Sequence, residues 1–196
     1  MLILASQSPR RKALLSLITE DFIVRPTGCD ETLCCADPVE HVRLLACRKA
    51  EAAQKELSPA PEDAIIAADT VVFLEGDILE KPSSPQDAVE MLRRLSGRKN
   101  TVCTGVAVAW QGQLRSFTCQ TEVFFYDLTE EEIAAYVATG EPMDKAGAYA
   151  IQGRGALLAR EIRGDYFNVV GLPVAPLYRL LREMGVPVKE GTRQCG

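Results

Sequence analysis

Leu2-Ile3-Leu4-Ala5-Ser6-Gln7-Ser8-Pro9-Arg10-Arg11 is the stretch on which the fold turns. Its apolar half reads as a buried strand, and the hydroxyls and proline behind it turn the chain into a helix. Ser8 suits the N-cap and Pro9 the first helical position, where a missing N–H would be unpaired anyway. Such a helix start leaves backbone N–H groups free and carries the positive end of the helix dipole, which ordinarily favours acids. Arg10 and Arg11 occupy that turn instead. Positive charge gathered there makes sense around an anion. A phosphate chain is the natural one, since guanidinium forks match phosphate oxygens. The alternative is a solvated basic turn with a good cap.

Outward from this stretch, strands and helices interleave. The first helix runs from Pro9 to about Leu17, and Phe22-Ile23-Val24 reads as a short strand. Asp37, with Pro38 behind it and Glu40 completing a capping box, opens a long helix to Leu57 that puts Val42, Leu45, Ala46 and Lys49 near one face. The run from Ala64 to Leu74 is the most buried-looking strand, and Glu75-Gly76-Asp77 turns it into a short partner. Ser84 and Pro85 open another helix, which ends near Gly97. Val102 to Trp110 and Gln113 to Tyr126 make a hairpin about Gln111-Gly112. Thr129 with Glu132 is a second capping box, for a helix that stops at Gly140. A second hairpin is expected between Ala156 to Ile162 and Tyr166 to Val170, across Arg163-Gly164-Asp165. A last helix spans Val174 to Met184, before a polar tail. Hairpins among alternating elements predict an α/β fold with a mixed sheet, as one domain over residues 1–188 and a tail over 189–196.

Composition narrows the function. With 196 residues, 47% of them hydrophobic, the chain supports one substantial core, split into two lobes around a cleft if at all. A net charge of −5 argues against nucleic acid or an anionic membrane as the main partner. No apolar run reaches the length of a membrane span or a signal peptide, which points to a cytoplasmic protein. The seven cysteines include no C-x-x-C pair, so free buried thiols are expected rather than a zinc site. His41, the only histidine, falls in the opening turn of a helix, where a surface position is expected; acid–base chemistry then rests on carboxylates.

Asp69 is the foremost of these. An unpaired charge inside Ile65-Ile66-Ala67-Ala68-Asp69-Thr70-Val71-Val72 would be costly to bury, so Asp69 must meet a cation, a metal or a hydrogen-bond donor, or lie where the strand opens into a cleft. Lys81 precedes Pro82, which holds it extended and projects its ammonium from a rigid edge. Glu31, beside Asp30 in a glycine-containing loop, can offer oxygens to Mg2+ or Mn2+. In Asp144-Lys145-Ala146-Gly147-Ala148-Tyr149-Ala150-Ile151-Gln152-Gly153 small residues allow close backbone approach, and Gln152 has the donor and acceptor that reading a base edge needs. No P-loop or G-x-G-x-x-G occurs. The set fits metal-assisted attack of water on the phosphate chain of a nucleotide.

These residues resemble the Maf family of nucleoside triphosphate pyrophosphatases. The likeness rests on residues 6–11, Ala68-Asp69-Thr70, Glu80-Lys81-Pro82, Leu95-Ser96-Gly97 and the segment from Asp144 to Gly153, and it extends from about Leu2 to Gly185. It implies an α/β fold with a mixed, twisted sheet flanked by helices, and two lobes around a central cleft. It further implies hydrolysis of a nucleoside triphosphate to the monophosphate and pyrophosphate with a divalent cation. By the same resemblance Asp69 is the general base and a metal contact with Glu31. Arg11, Thr70 and Gln152 set the choice of base, and Ser6, Arg10, Lys49 and Lys81 contact phosphate. The motifs look like the branch acting on dTTP and UTP; Ala150, where many members carry glycine, is a mild change. A 7-methyl-GTP-type enzyme and a regulatory nucleotide-binding protein linked to septum formation are the alternatives, and a homodimer would fit the family. A nucleic-acid-binding module is disfavoured by the acidic balance.

Overall fold

Caps and breakers divide the chain. The structure, a computed structural model, describes residues 1–30, 32, 35 and 37–188. Strand β1 (Leu2–Leu4) leads into helix α1 (Pro9–Leu15), where the Ser8 hydroxyl accepts the Arg11 N–H at 3.3 Å. Strand β2 (Phe22–Val24) and helix α2 (Pro38–Leu57) follow, the latter capped by the Asp37 carboxylate, which accepts from the Val39 N–H at 3.0 Å. Glu40 does not complete the cap; its carboxylate takes the Arg43 Nε–H at 2.8 Å. Next come β3 (Ala64–Leu74), β4 (Asp77–Leu79), α3 (Pro85–Leu95) and the hairpin of β5 (Lys99–Trp110) and β6 (Gln113–Phe125). Helix α4 (Glu130–Val137) has both halves of its Thr129 capping box. Short 3₁₀ turns lead to β7 (Ala159–Arg163), α5 (Tyr166–Val170) and α6 (Val174–Met184). The polar tail from Lys189 lies outside the described residues. No helix among them is long and apolar enough to cross a membrane.

The expected second hairpin is half right. β7 pairs with β6, but Tyr166–Val170 is a helix. The Asp165 carboxylate accepts the Phe167 N–H at 2.7 Å and the Asn168 N–H at 3.3 Å, a cap that prevails over the aromatic and β-branched composition. The cysteines also depart from expectation: of those described as free, Cys103 is buried, while Cys29, Cys35, Cys47 and Cys119 are partly exposed.

The sheet runs β2-β1-β3-β5-β6-β7, with β4 on the edge of β3. β1 is parallel to β2 and β3, and the rest are antiparallel, so the sheet is mixed. Alternation along β3 sends Ile66, Ala68, Val72 and Leu74 to a core shared with α1, α3, α4 and α6, and Ile65 and Ala67 to a second core under α2. Two features of β3 place the cleft. β1 reaches no further along it than Ile66, and β4 begins opposite Val72. Between them the edge of β3 has no strand beside it among the described residues, and Asp69 and Thr70 stand in that gap.

Helix α2 sits unusually low on its face. Ala46, Ala50 and Ala53 are fully buried against it. On β5 the position opposite Asp69 is Gly105, where a Cβ would lie 2.3 Å from the Val42 carbonyl oxygen. Gly105→Ala must therefore lift the helix or distort the strand. It is expected to destabilise the fold by about 2 kcal/mol or more, read as a lower urea midpoint at unchanged slope. A variant as stable as the wild type would show that α2 has room to move.

Candidate active site

The gap in β3 opens into a cavity of about 660 Å³. Ser6, Arg10, Arg11, Lys49, Asp69, Thr70, Lys81 and Gln152, scattered over the chain, all line it. Glu31 lies outside the described residues.

Asp69 is 8% exposed and meets a cation: its Oδ1 accepts from Lys49 Nζ at 2.8 Å. The low seat of α2 makes this pairing possible, because Lys49 lies seven residues after Val42 on the helix face turned to the sheet. Asp69 is thus paired and also lies where its strand opens into a cleft. Thr70, the next residue, projects to the opposite face, where its hydroxyl accepts from Arg11 Nη2 at 3.0 Å.

The two arginines diverge. Arg11 is held by neutral oxygens: besides Thr70, its Nε donates to the Gly171 carbonyl at 2.9 Å and Nη1 to the Ser6 hydroxyl at 3.4 Å. Arg10 reaches across the cavity mouth to Asp144, at 3.2 Å. Asp144 also takes the ammonium of Lys145, which in turn donates to the Glu141 carbonyl at 2.7 Å. Partial burial opposes the charge on Asp144, but the hydrogen bonds from Lys145 and Arg10 outweigh it and hold the carboxyl below the usual range. On the same wall Gly147 adopts φ +67° and donates its N–H to the Glu80 carbonyl at 3.0 Å; a Cβ there would lie 2.8 Å from the Val72 side chain. Behind it the buried Tyr149 hydroxyl donates to Asn100 Oδ1 at 2.9 Å, and burial raises its pKa strongly. Lys81 and Gln152 line the cavity as exposed side chains.

His41 corrects one expectation. It is 1% exposed and lines the cavity, because the opening turn of α2 is pressed over the sheet at Gly105 rather than facing solvent. Asp144 and Lys145 were legible as part of a turn-rich motif, but not as a charge cluster with Arg10. Thr104 and Asn168, which stand behind Thr70, were not singled out; a hydroxyl inside Val102-Cys103-Thr104-Gly105-Val106 is the same kind of signal as Asp69.

The donor set suits a divalent cation that arrives with phosphates more than one held by a protein cage. No group of three or more His, Cys, Asp or Glu able to hold a metal occurs among the described residues. Magnesium commonly takes one or two carboxylates and completes its shell with phosphate oxygens and water. Asp69 could supply such a carboxylate, beside the cations Arg10, Lys49 and Lys81 of the same cavity.

An open mixed α/β sheet with a cation-lined cleft at a break in its strand edge is an architecture suited to an anionic ligand. The model of the Maf-like protein family matches residues 1–184, and the chain belongs to that family. It is 50% identical over 185 residues to a dTTP/UTP pyrophosphatase of Geobacillus sp. (strain WCH70), covering 94% of this chain and 98% of the relative. A dTTP/UTP pyrophosphatase of Thermococcus kodakarensis is 46% identical over 188 residues, 96% of this chain and 98% of the relative. One from Carboxydothermus hydrogenoformans is 50% identical over 184 residues, covering 93% and 97%.

The side chains of Lys49 and Asp69 are each 12% exposed, so removing Lys49 takes the ion-pair partner from a largely buried carboxylate. Lys49→Met is expected to cost about 2 kcal/mol of stability, and adding Asp69→Asn to recover part of it, in urea titrations of both variants. Equal stability of Lys49→Met and wild type would show that Asp69 is satisfied without its lysine.

Proposed function

We propose that this chain hydrolyses dTTP and UTP to the monophosphate and pyrophosphate. The observation that carries the reading is the convergence of Ser6, Arg10, Arg11, Lys49, Asp69, Thr70, Lys81 and Gln152 on one cavity, in a chain whose relatives are named for this activity. A volume of about 660 Å³ accommodates a ligand of nucleotide size.

In this reading the base lies toward Arg11, Thr70 and Gln152, and the phosphates toward Ser6, Arg10, Lys49 and Lys81. Asp69 accepts a proton from water as the water oxygen bonds to the α-phosphorus. The bond from that phosphorus to the bridging oxygen breaks, and pyrophosphate leaves with the electron pair. Lys49, 2.8 Å from Asp69 Oδ1, holds the carboxylate in place and offsets charge growing on the phosphoryl oxygens. Lys81, extended before Pro82, neutralises the departing phosphates. Asp69, with Glu31, would hold a Mg2+ or Mn2+ ion on the phosphate oxygens, supplying charge neutralisation and orientation there.

Pyrophosphate release is measured with dTTP, UTP, CTP and 7-methyl-GTP in the presence of Mg2+ or Mn2+. Turnover led by dTTP and UTP is expected. In Asp69→Asn it should fall at least roughly a hundredfold, with folding and nucleotide binding kept. Turnover led by 7-methyl-GTP would overturn the base assignment. Binding without turnover in the wild type would favour the regulatory alternative, and full turnover in Asp69→Asn would remove Asp69 from its role.

A further inference from the structure

The hydroxyl of Thr70 has its proton direction set from behind the cleft wall. Its oxygen accepts from Arg11 Nη2 at 3.0 Å and lies 2.9 Å from the hydroxyl of Thr104, its register partner on β5. Thr104 is fully buried, and its hydroxyl donates to the Asn168 carbonyl at 3.2 Å. A threonine hydroxyl carries a single proton. With the Thr104 proton on Asn168, the contact between the two hydroxyls is made by the proton of Thr70. The guanidinium of Arg11 favours the same arrangement, since it repels a proton turned toward it. The Thr70 proton therefore points into the wall, and toward the cavity Thr70 presents an acceptor.

The far end of this relay is fixed. Asn168 is fully buried, and its carboxamide nitrogen donates to the Val102 carbonyl and the Thr121 hydroxyl, both at 3.0 Å. Its carbonyl also takes the Gly171 N–H at 3.0 Å, and a carbonyl oxygen has lone pairs for both donors. The backbone that orients Thr104 thus ends at Gly171, whose own carbonyl orients Arg11 at 2.9 Å. Both sides of Thr70 are held by one short segment, α5 and the glycine behind it.

We propose that Thr104 is a positioning residue for base selection: by taking the proton of Thr70 it leaves Thr70 able only to accept, so the cleft favours a base that donates at N3 over one that accepts there. Uracil and thymine share a ring N3–H flanked by two carbonyls, whereas cytosine has a bare N3 lone pair at the same place. Arg11 offers N–H donors beside the Thr70 acceptor, a pattern complementary to the first edge. Set against cytosine, Thr70 would face acceptor to acceptor. This rests on the reading that Thr70 meets the base.

Without an oxygen at position 104, the Thr70 proton is free to swing into the cavity and donate to cytosine N3. The experiment compares kcat/KM for UTP and CTP in the wild type and in Thr104→Val, Thr104→Cys and Thr104→Ser. The wild type is expected to prefer UTP. Thr104→Val should narrow the UTP-to-CTP ratio roughly tenfold, with CTP gaining, and Thr104→Ser should keep the wild-type ratio. Thr104→Cys, smaller and a poor hydrogen-bonding partner, should follow Thr104→Val and stands in if the valine variant melts before assay. The ratio of Kd values for UMP and CMP gives the same reading without turnover. A merely structural Thr104 would lower both nucleotides together and leave the ratio unchanged, and that result overturns the proposal. A Thr104→Ser variant as relaxed as Thr104→Val overturns it too. A wild type indifferent between UTP and CTP would instead overturn the base assignment beneath it.

Discussion

Everything at this site depends on a missing neighbour. β1 accompanies β3 only to Ile66 and β4 rejoins it only at Val72, so the middle of this mostly buried strand has an open flank. A strand in a closed sheet shows each side chain to one covered face. Here both faces are reachable from the same cavity, and consecutive residues serve it from opposite sides. Asp69 works against α2 and Thr70 against α1 and α5. Polar side chains in this otherwise apolar strand are tolerated because each is paired, Asp69 with Lys49 and Thr70 with Arg11 and Thr104.

Charge is arranged locally against the sign of the whole. The chain carries −5, yet the described cavity lining holds Arg10, Arg11, Lys49, Lys81 and Lys145 against Asp69, Glu80 and Asp144. At physiological salt the field of exposed surface acids is screened within about 8 Å, so a cleft of this kind keeps its own sign. Three of the cations are already engaged with carboxylates, Lys49 with Asp69 and both Arg10 and Lys145 with Asp144. Arg11 is oriented by a backbone carbonyl and two hydroxyls, those of Gly171, Ser6 and Thr70.

Much of this was legible in the residues themselves. Caps and breakers located α1, α2, α3 and α6 closely, because Ser8, Asp37 and Ser84 each precede a proline and Gly185 ends the last helix. The burial of Asp69 followed from its apolar neighbours, and the need for a partner from the cost of leaving it alone. What failed had tertiary causes. Tyr166-Phe167-Asn168-Val169-Val170 has a strand's composition, and only the Asp165 cap turns it helical. His41 looked solvated because nothing in its own helix says that Gly105, on a distant strand, lets that turn sink onto the sheet. The relay through Thr104 and Asn168 joins two elements more than sixty residues apart, and one of them had been assigned the wrong structure.

The placement of Asp69 and Thr70 on opposite faces of one strand also bears on how such a protein changes over generations. A substitution in the layer behind Thr70 acts on packing that involves α5 and β5, while Asp69 answers to α2 and its lysine. The two layers are joined through β3 and through β5, where Thr104 backs Thr70 and its neighbour Gly105 seats α2. Even so, the Lys49–Asp69 ion pair and the Thr70–Thr104 contact share no side chain, so a substitution in one layer need not remove the contact in the other.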